Sequence, residues 1–209
     1  MLPRNADSAP LRSGMSRTVA TIASFPACIY EEGFMLWRQE VSDRMIIGLI
    51  SDTHDCLPLI ERAVRRLNQE QVGLVLHAGD FVAPFVIPKL KDLNAPLIGV
   101  FGNNDGDHEL LIAKCAEHEG IEIRGRFAVV TVDGLRIALL HGDERDLLEA
   151  LIEAEAFDVI VHGHTHTAGI MRKGNTLAVN PGEVCGYLTG SSTLGLLDSG
   201  TREAEIIRL

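Results

Sequence analysis

Short apolar runs that stop beside a polar residue recur along the chain after residue 45. The runs are IIGLI, GLVL, PLIGVF, LRIALL and DVIV. The polar residues that follow them are Asp52 and His54, then Asp80, then Asn103 to Asp105, then His141 and Asp143, and finally His164 and His166. Apolar runs of this length, bounded by turn residues, are typical of buried β-strands. The pattern therefore predicts strands whose ends deliver Asp, His or Asn.

Amphipathic stretches separate these strands. Apolar residues recur at i, i+3, i+4 and i+7 in LPLIERAVRRLNQE. DERDLLEALIEAEA also spaces its apolar residues as one face of a helix. Their apolar positions are Ile60, Ala63, Val64 and Leu67, and Leu147, Leu148, Leu151 and Ile152. DHELLIAKCAEHEG is a third candidate helix, which Gly120 ends. The charges of these helices, such as Glu61 and Arg65 four residues apart, are expected to lie on an exposed helix face.

The order of these elements indicates an α/β fold. Strands that alternate with helices imply crossover connections and largely parallel pairing. The last third differs, because GRFAVVTVDGLRIALL, TAGIMRKGNTLAVN, STLGLLDS and REAEIIRL read as short strands joined by hairpins. We therefore expect two packed sheets flanked by helices. FVAPFVIPKL is expected to form a buried helix face, with a rim of the site or a dimer contact as alternatives.

Composition limits the function classes. The chain has 209 residues, 46% hydrophobic and 23% charged, which suits one well-buried domain or at most two small ones. A net charge of −10 argues against a protein that binds duplex nucleic acid through its phosphates, although a local basic patch stays open. The four cysteines form no CxxC pair, and we expect structural or incidental roles for them in a cytoplasmic protein. No run approaches the ~20 apolar residues of a membrane span.

Residues 1–44 lack the periodicity of the rest of the chain. We expect an N-terminal extension that is disordered or not part of the native domain, with the domain itself at residues 45–209. A weak export or transit signal is the alternative, because Arg4, Arg12 and Arg17 precede the mildly apolar TVATIASFPACIY.

The polar strand ends predict a metal site. Loops beyond the carboxyl ends of parallel strands converge on one edge of the sheet. Buried carboxylates and imidazoles need a compensating charge, and mixed N and O ligands suit Mn, Fe, Co, Ni or Zn better than Mg or Ca. For any single histidine, a hydrogen-bonded structural role is the alternative. The expected ligands are Asp52, His54, Asp80, Asn103, His141, His164 and His166.

Five motifs in order carry a resemblance. SDTH, GD, GNND, HG and GHTH resemble the signature blocks of the calcineurin-like metallophosphoesterases, and the spacing with NPGEVCGYLTG is similar to the small YfcE-type phosphodiesterase branch. The resemblance covers Met45 to the end of the sequence and implies a four-layer αββα sandwich of two mixed β-sheets flanked by helices. It implies a dinuclear centre in which Asp80 bridges. Asp52, His54 and His166 would hold one ion, and Asn103, His141 and His164 the other.

The resemblance also implies an activity. It implies a metal-dependent phosphohydrolase, most simply a phosphodiesterase, in which a metal-activated hydroxide attacks phosphorus in line. We expect two divalent ions, with Mn²⁺ first and Ni²⁺, Co²⁺, Fe²⁺ or Zn²⁺ open. The expected partner is a small phosphodiester, in the cytoplasm, away from membranes and duplex nucleic acid; a homo-oligomer stays open. A non-catalytic metal-binding scaffold and a phosphomonoesterase are the alternatives.

Two positions depart from the family pattern. Asn104 stands where many relatives have His, and Asp143 stands where much of the branch has the second His of HGH. An amide donates a hydrogen bond but supplies no proton at neutral pH, so we expect weak monoesterase activity. Asn104 is the candidate for contact with the phosphate or leaving group, and Asp105 is the candidate for its support. The role of Asp143 stays open.

Overall fold

The computed structural model describes residues 44–209, together with the backbone of strands β1 (Ala27–Glu31) and β2 (Phe34–Arg38). The chain divides into two units, residues 1–41 and 42–209, and in the first unit β1 pairs with β2 in antiparallel register. The expectation of a dispensable or signal-like extension falls mostly outside the described residues, so it stays a prediction.

The second unit alternates strands and helices before it ends in hairpins. In chain order its elements are β3 (Ile46–Ile50), α1 (Leu57–Gln69), β4 (Leu74–His77), a 3₁₀ turn (Pro84–Val86), α2 (Ile87–Leu90), β5 (Leu97–Gly99), α3 (His108–Ala116), β6 (Ile121–Ile123), β7 (Phe127–Val132), β8 (Leu135–Leu140), α4 (Arg145–Glu153), β9 (Val159–Val161), β10 (Gly169–Lys173), β11 (Thr176–Asn180), β12 (Thr193–Asp198) and β13 (Glu203–Arg208). No described helix is both long and apolar enough to cross a membrane.

These strands form two mixed sheets. The six-stranded sheet has the order β13–β12–β3–β4–β5–β6, in which β3 to β6 run parallel and β12 and β13 form an antiparallel hairpin on the β3 side. The five-stranded sheet has the order β10–β11–β9–β8–β7, with a parallel centre and an antiparallel strand at each edge. Parallel pairing at both centres follows from the helical crossovers.

Three apolar clusters define four layers. Leu49 and Leu76 of one sheet pack against Ile137 and Val161 of the other, and all four side chains are fully buried. Residues of α1, α2 and α3 cover the outer face of the six-stranded sheet. Helix α4 covers the outer face of the five-stranded sheet. Each fully buried aliphatic side chain stabilises the fold by about 1.5–3 kcal/mol relative to exposure. The predicted αββα sandwich is confirmed.

Helix faces agree with the sequence pattern in most places. The four apolar residues predicted to lie on one face of α1 are all buried. FVAPFVIPKL forms the 3₁₀ turn and α2, which bury Val86, Ile87 and Leu90, so the buried helix face is confirmed. In α4 the pattern is only partly right, because Leu147 remains 43% exposed. The reason is that α4 contacts the sheet through Leu148, Leu151 and Ile152.

Candidate metal site

The predicted ligands lie at the ends of parallel strands from both sheets. Asp52 and His54 follow β3, Asp80 follows β4, and Asn103 follows β5; His141 follows β8, and His164 and His166 follow β9. Their side chains meet at one edge of the sandwich. Asp52, Asp80 and His141 are each at most 1% exposed, whereas Asn103 is exposed and His164 is half-buried. The site therefore opens to solvent on the side of Asn103 and His164.

The backbone at this edge is conformationally strained. Five predicted ligands have a positive φ, namely Asp52 (52°), His54 (39°), Asp80 (62°), His164 (68°) and His166 (61°). A non-glycine residue in the left-handed region costs of order 1–3 kcal/mol and persists where the surrounding fold enforces it. Each of these positive-φ residues comes after a buried strand. The change of backbone direction there turns the side chain from the core toward the shared edge. Such outliers cluster at functional sites.

Two aspartates and two histidines form the first cluster. Ligand atoms of Asp52, His54, Asp80 and His166 all lie within 4.8 Å of one another. Asp52 Oδ1 is 3.5 Å from His166 Nε2 and 3.9 Å from His54 Nε2. Asp80 Oδ2 is 3.3 Å from His54 Nε2. This donor set can hold one borderline transition-metal ion.

An amide and two histidines form the second cluster. Asn103 Oδ1 lies 3.0 Å from His141 Nε2 and 2.9 Å from His164 Nδ1. His141 Nδ1 contacts the carbonyl oxygen of Ala78 at 2.8 Å, and since only a protonated nitrogen can donate there, Nε2 of the neutral ring carries the lone pair. Asp80 Oδ2 is 3.4 Å from His141 Nε2, so this carboxylate contacts both clusters.

The electrostatics of the site call for a cation. Burial raises the pKa of Asp52 above its ordinary value. Burial also disfavours ionisation of Asp80, but hydrogen bonds from His141 and Asn104 outweigh it and hold the pKa of Asp80 below its ordinary range. Burial alone would lower the pKa of His141, yet Asp80 raises it. Two carboxylic acids, and a histidine whose protonated form Asp80 favours, therefore lie together at one buried edge.

Unpaired buried atoms show that a metal fits. Among the residues that the structure describes, Asp52 Oδ1 and His54 Nε2 are buried without a hydrogen-bond partner, and both face the first cluster. In the second cluster, a neutral His141 would direct its Nε2 lone pair at an amide oxygen. Buried acceptors that face one another repel unless a proton or a metal ion lies between them. The residues present therefore fit a metal ion.

The two candidate catalytic residues have different surroundings. Asn104 is exposed, and its side-chain amide donates to Asp80 Oδ2 at 2.8 Å while its backbone N–H donates to Asp80 Oδ1 at 2.9 Å. Asp105 is buried, and its carboxylate accepts backbone N–H groups of Asp80, Val82 and Gly102 at 3.1, 2.7 and 2.7 Å. Asn104 therefore faces the site, whereas Asp105 fixes the loops that carry it.

Two glycines make room for these loops. A Cβ at Gly102 would lie 2.1 Å from Asp80 Oδ1, and one at Gly163 would lie 1.9 Å from Ser51 Oγ and 2.7 Å from Asp52 Oδ2. Either contact is far inside van der Waals distance, so the absence of a side chain lets the backbone approach the two carboxylates. Asp143, the second departure from the family pattern, pairs with Arg126.

Glu183 is a site residue that the strand-end pattern did not identify. Its carboxylate is fully buried, and Oε2 accepts from His166 Nδ1 at 2.7 Å. Burial disfavours its charge, but hydrogen bonds from His166 and from Thr189 outweigh this and lower the pKa of Glu183 to about 2. The charged carboxylate fixes the His166 tautomer with Nε2 toward Asp52. The only sequence signal was its place in NPGEVCGYLTG, outside the five motifs.

Cys185 also lies beside the first cluster. Its sulfur and a ring nitrogen from each of His54 and His166 lie within 4.8 Å of one another. The thiol donates to Glu183 Oε2 at 3.1 Å, and burial raises the pKa of Cys185 to about 12. We expected structural or incidental roles for the cysteines, and nothing in the sequence indicates that Cys185 lies beside two predicted ligands. Scattered spacing in a sequence does not report proximity in the fold.

Comparisons with known proteins agree with this geometry. Residues 45–202 match the calcineurin-like phosphoesterase superfamily domain. Phosphodiesterase MJ0936 of Methanocaldococcus jannaschii is 42% identical over 159 residues, which cover 76% of this chain and 96% of the relative. The solved structure of an archaeal phosphodiesterase, also 42% identical, superposes with a TM-score of 0.75 and covers 79% of this chain and 100% of its own. The Escherichia coli phosphoesterase YfcE, 22% identical with a TM-score of 0.58 over 78% of this chain and 98% of its own, shares the fold.

Proposed function

The chain belongs to the calcineurin-like phosphoesterase family, and from that premise we propose that it is a metal-dependent phosphodiesterase. The observation that carries the proposal is the position of Asp80, whose Oδ2 contacts His54 of the first cluster and His141 of the second. One carboxylate between two ligand sets is what a dinuclear centre requires. The family resemblance stated from the five motifs is confirmed.

The proposed ligands divide between two ions. Asp52, His54 and His166 would hold one ion, Asn103, His141 and His164 would hold the other, and Asp80 would serve both. Bound divalent ions supply Lewis acidity, which lowers the pKa of water and neutralises charge on the phosphoryl oxygens. Glu183 keeps a lone pair of His166 directed at the site, and the Ala78 carbonyl does the same for His141. These contacts hold the donor atoms in place before substrate arrives.

Asn104 determines which esters react readily. Its amide lies at the open side of the site and can donate a hydrogen bond to a phosphoryl or leaving-group oxygen, but it has no proton to transfer. The nearby imidazoles are assigned to the metals, and Asp105 is occupied by backbone amides, so we assign it a positioning role. Without a general acid, which typically contributes about 10²–10⁴-fold, diesters with good leaving groups are favoured over monoesters.

The identity of the metal and the cellular location of the protein are proposed on chemical grounds. Mixed carboxylate, amide and imidazole donors suit Mn²⁺, while Cys185 beside His54 and His166 keeps Zn²⁺, Co²⁺, Ni²⁺ and Fe²⁺ as candidates. We place the protein in the cytoplasm, in accord with the free thiols of Cys56, Cys115 and Cys185. The substrate is a phosphodiester free in solution, and association into a homo-oligomer is left for measurement.

Metal content and hydrolysis together test this function. The Mn²⁺-loaded protein should hydrolyse bis(p-nitrophenyl) phosphate well and p-nitrophenyl phosphate poorly. Asp80→Asn should lose metal and reduce diester turnover by roughly a hundredfold or more, since one side chain serves both ions. Asp143→Asn is the control, because that carboxylate pairs with Arg126.

Each possible result separates the alternatives. Two metal equivalents retained by Asp80→Asn would contradict the bridging assignment. A wild-type protein that holds metal but turns over no ester would support a non-catalytic scaffold. Faster turnover of the monoester than of the diester would support a phosphomonoesterase.

A further inference from the structure

One buried histidine lies outside the two ligand clusters. His77 is the last residue of β4, in the parallel centre of the six-stranded sheet, and its side chain is completely buried. Its ring stacks on Phe81 with 3.7 Å between the ring centroids. Burial lowers the pKa of His77 to about 3, so the ring is neutral at physiological pH. A neutral imidazole has one N–H donor and one acceptor nitrogen, and both are in use here.

A backbone donor determines the direction of each hydrogen bond at His77. The N–H of Gly79 donates to His77 Nδ1 at 3.1 Å, so Nδ1 is the acceptor and Nε2 carries the ring proton. His77 Nε2 lies 3.2 Å from Thr53 Oγ1 and therefore donates to that hydroxyl. The Thr53 hydroxyl donates in turn to the carbonyl oxygen of Asp80 at 3.1 Å. We call these three hydrogen bonds the His77–Thr53 network.

The His77–Thr53 network ends on the residue that contacts both ligand clusters. The carbonyl oxygen of Asp80 also accepts from the backbone N–H groups of Thr53 and His54, each at 3.1 Å. On the other side of the same residue, the N–H of Asp80 donates to Asp105 Oδ2 at 3.1 Å. The two peptide groups that flank the Asp80 Cα are therefore both restrained, one by Asp105 and the other by the turn at Thr53.

Asp80 requires this restraint because its backbone is in the left-handed region. Its φ is 62°, and the φ of the preceding Gly79 is 99°. A residue with a side chain persists in this region only where its surroundings enforce it. The carboxylate oxygen Oδ2 of Asp80 lies 3.3 Å from His54 Nε2 and 3.4 Å from His141 Nε2. A relaxed backbone at Asp80 would move this oxygen away from its place between the two clusters.

Water cannot take the place of the Thr53 hydroxyl. Thr53 is 1% exposed and His77 is 0% exposed. Loss of the hydroxyl would leave the Nε2–H of His77 as a buried donor without a partner, which is unfavourable. Because the hydroxyl joins His77 to the carbonyl of Asp80, a change at Thr53 acts directly on the Asp80 backbone.

We propose that His77 and Thr53 are positioning residues of the metal site, and that their network fixes the Asp80 backbone so that one carboxylate can serve two ions. The proposal rests on the proposed phosphodiesterase function and adds to it two residues outside the ligand set. Neither residue contacts the metal or the substrate. A histidine that only filled the core beside Phe81 would not need these directed hydrogen bonds.

Thr53→Val tests the His77–Thr53 network with little change of shape, because valine has a methyl group in place of the hydroxyl. Affinity for Mn²⁺ should fall by roughly tenfold, within the range that hydrogen-bond partners outside the ligand set typically contribute. Thr53→Ser keeps a hydroxyl and should restore the affinity. Chelator competition with each purified protein measures this effect.

Thr176→Val is the matched control for Thr53→Val. Thr176 is 1% exposed, and its hydroxyl donates to the carbonyl of Phe157 at 2.6 Å, so valine removes the same kind of buried hydrogen bond there. Both valine variants should lower Tm by a few degrees. Only Thr53→Val should weaken metal binding. Equal metal affinities of the two valine variants, or no recovery in Thr53→Ser, would overturn the proposal.

NMR of the metal-free protein separates this proposal from the function on which it rests. The backbone N–H of Asn104 donates to Asp80 Oδ1 at 2.9 Å, so its resonance reports the position of the carboxylate. This resonance should move in Thr53→Val, return in Thr53→Ser and stay in place in Thr176→Val. An Asn104 resonance that does not respond to Thr53→Val would contradict the positioning of Asp80, whether or not the protein cleaves any ester.

The tautomer of His77 gives a test that needs no variant. Nitrogen-labelled histidine in the metal-free wild-type protein should show the His77 ring proton on Nε2, because the N–H of Gly79 occupies Nδ1. A proton on Nδ1 would mean that His77 cannot donate to Thr53 in the way the network requires, and the proposal would be overturned.

Discussion

At the scale of single residues, Glu183 shows how a buried carboxylate outside the ligand set can govern a ligand. Its Oε1 accepts from the backbone N–H groups of Leu188 and Thr189 at 3.0 and 2.6 Å and from the Thr189 hydroxyl at 2.8 Å. Its Oε2 accepts from His166 Nδ1. Both oxygens are therefore acceptors, and the backbone donors cannot reverse their direction. This arrangement leaves His166 Nε2 free to face Asp52.

Glu183→Gln should disturb this arrangement by moving the His166 ring proton from Nδ1 to Nε2. The amide oxygen must take the position that faces the Leu188 and Thr189 N–H groups, so the amide NH₂ faces His166 Nδ1. His166 then accepts at Nδ1 and carries its proton on Nε2, which blocks the lone pair needed for a metal. We expect metal affinity to fall by roughly 10–100-fold. Chelator competition measures the affinity, and NMR of nitrogen-labelled histidine in the metal-free protein reports the tautomer.

The control for this substitution is Glu205→Gln, the same chemical change at an exposed position of β13. It should leave both the histidine tautomer and the metal affinity unchanged. A Glu183→Gln protein that keeps the proton on Nδ1 and binds metal as wild type does would contradict the positioning role.

The residue scale also shows which predictions from sequence succeed. The seven proposed ligands share one signal, a polar residue at the end of a buried strand, and the structure brings all of them to one edge. Glu183 and Cys185 lie on a loop where no periodic pattern separates an inward side chain from an exposed one. The charged residues Glu61 and Arg65 lie on the side of α1 away from the core, as predicted, and Glu61 pairs there with Lys89 of α2.

At the scale of elements, the turn between β5 and α3 sets the position of Asp80. Gly102 begins this turn, and its N–H donates to Asp105, which also accepts from Asp80 N–H. The turn therefore lies against the strand end that carries the bridging carboxylate. Close approach of two backbones is possible here because residue 102 has no side chain.

Gly102→Ala should therefore impair the metal site and the fold together. The added Cβ would lie 2.1 Å from Asp80 Oδ1 and 2.6 Å from Asp80 N, so the turn must move. Overpacking of this kind costs about 1–3 kcal/mol, which lowers Tm by roughly 2–12 °C in a chain of this size. Thermal melting and metal analysis of the purified variant measure the two effects. Gly106→Ala, in the same loop with nothing within 4 Å of the added Cβ, is the matched control.

If Gly102→Ala melts and binds metal as Gly106→Ala does, the close approach at residue 102 does not constrain Asp80. Neither glycine has a positive φ, so neither substitution forces alanine into the left-handed region of the backbone. The two variants therefore differ in the steric contacts of the added Cβ.

Element prediction was most successful where a long pattern is reinforced by burial. Helix α1 buries the four residues that its spacing predicts. Strand β6 has only three residues, none of them fully buried, so its sequence carries no pattern that distinguishes it from a loop after Gly120. Leu147 of α4 was assigned to the apolar face from spacing alone. Periodicity gives the direction of a helix face but not the width of the surface that covers it.

At the scale of the whole molecule, charge is distributed unevenly. The chain has a net charge of −10, yet Arg62, Arg65 and Arg66 lie close together along one helix, α1. Negative charge elsewhere opposes non-specific contact with polyanions, so binding of a phosphate-rich substrate must be local. Overall composition disfavours a duplex-wide basic face, and this stays a prediction. Composition does not show which charged residues the fold brings together.

The N-terminal boundary is a property of the whole molecule that a truncation can test. The family match begins at residue 45, and the compact second unit begins at residue 42. Met45 is tied to this unit by its backbone N–H, which donates to Ser199 Oγ at 2.8 Å, while Arg44 pairs with Asp198 as a partly exposed ion pair. Exposed pairs contribute about 0–1 kcal/mol. A chain that starts at Met45 should therefore keep its diester kcat/KM and lose no more than a few degrees in Tm.

A second truncation makes this boundary experiment decisive. A chain that starts at Leu49 lacks most of β3, which pairs with β12 on one side and β4 on the other at the centre of the six-stranded sheet. It also loses the fully buried side chain of Ile47, so it should not fold to a soluble protein. Melting curves, metal content and diester turnover are compared for the full chain and both truncations. A large fall in Tm for the chain that starts at Met45 would mean that residues 1–44 stabilise the domain, and the boundary would then have to be moved toward the first residue.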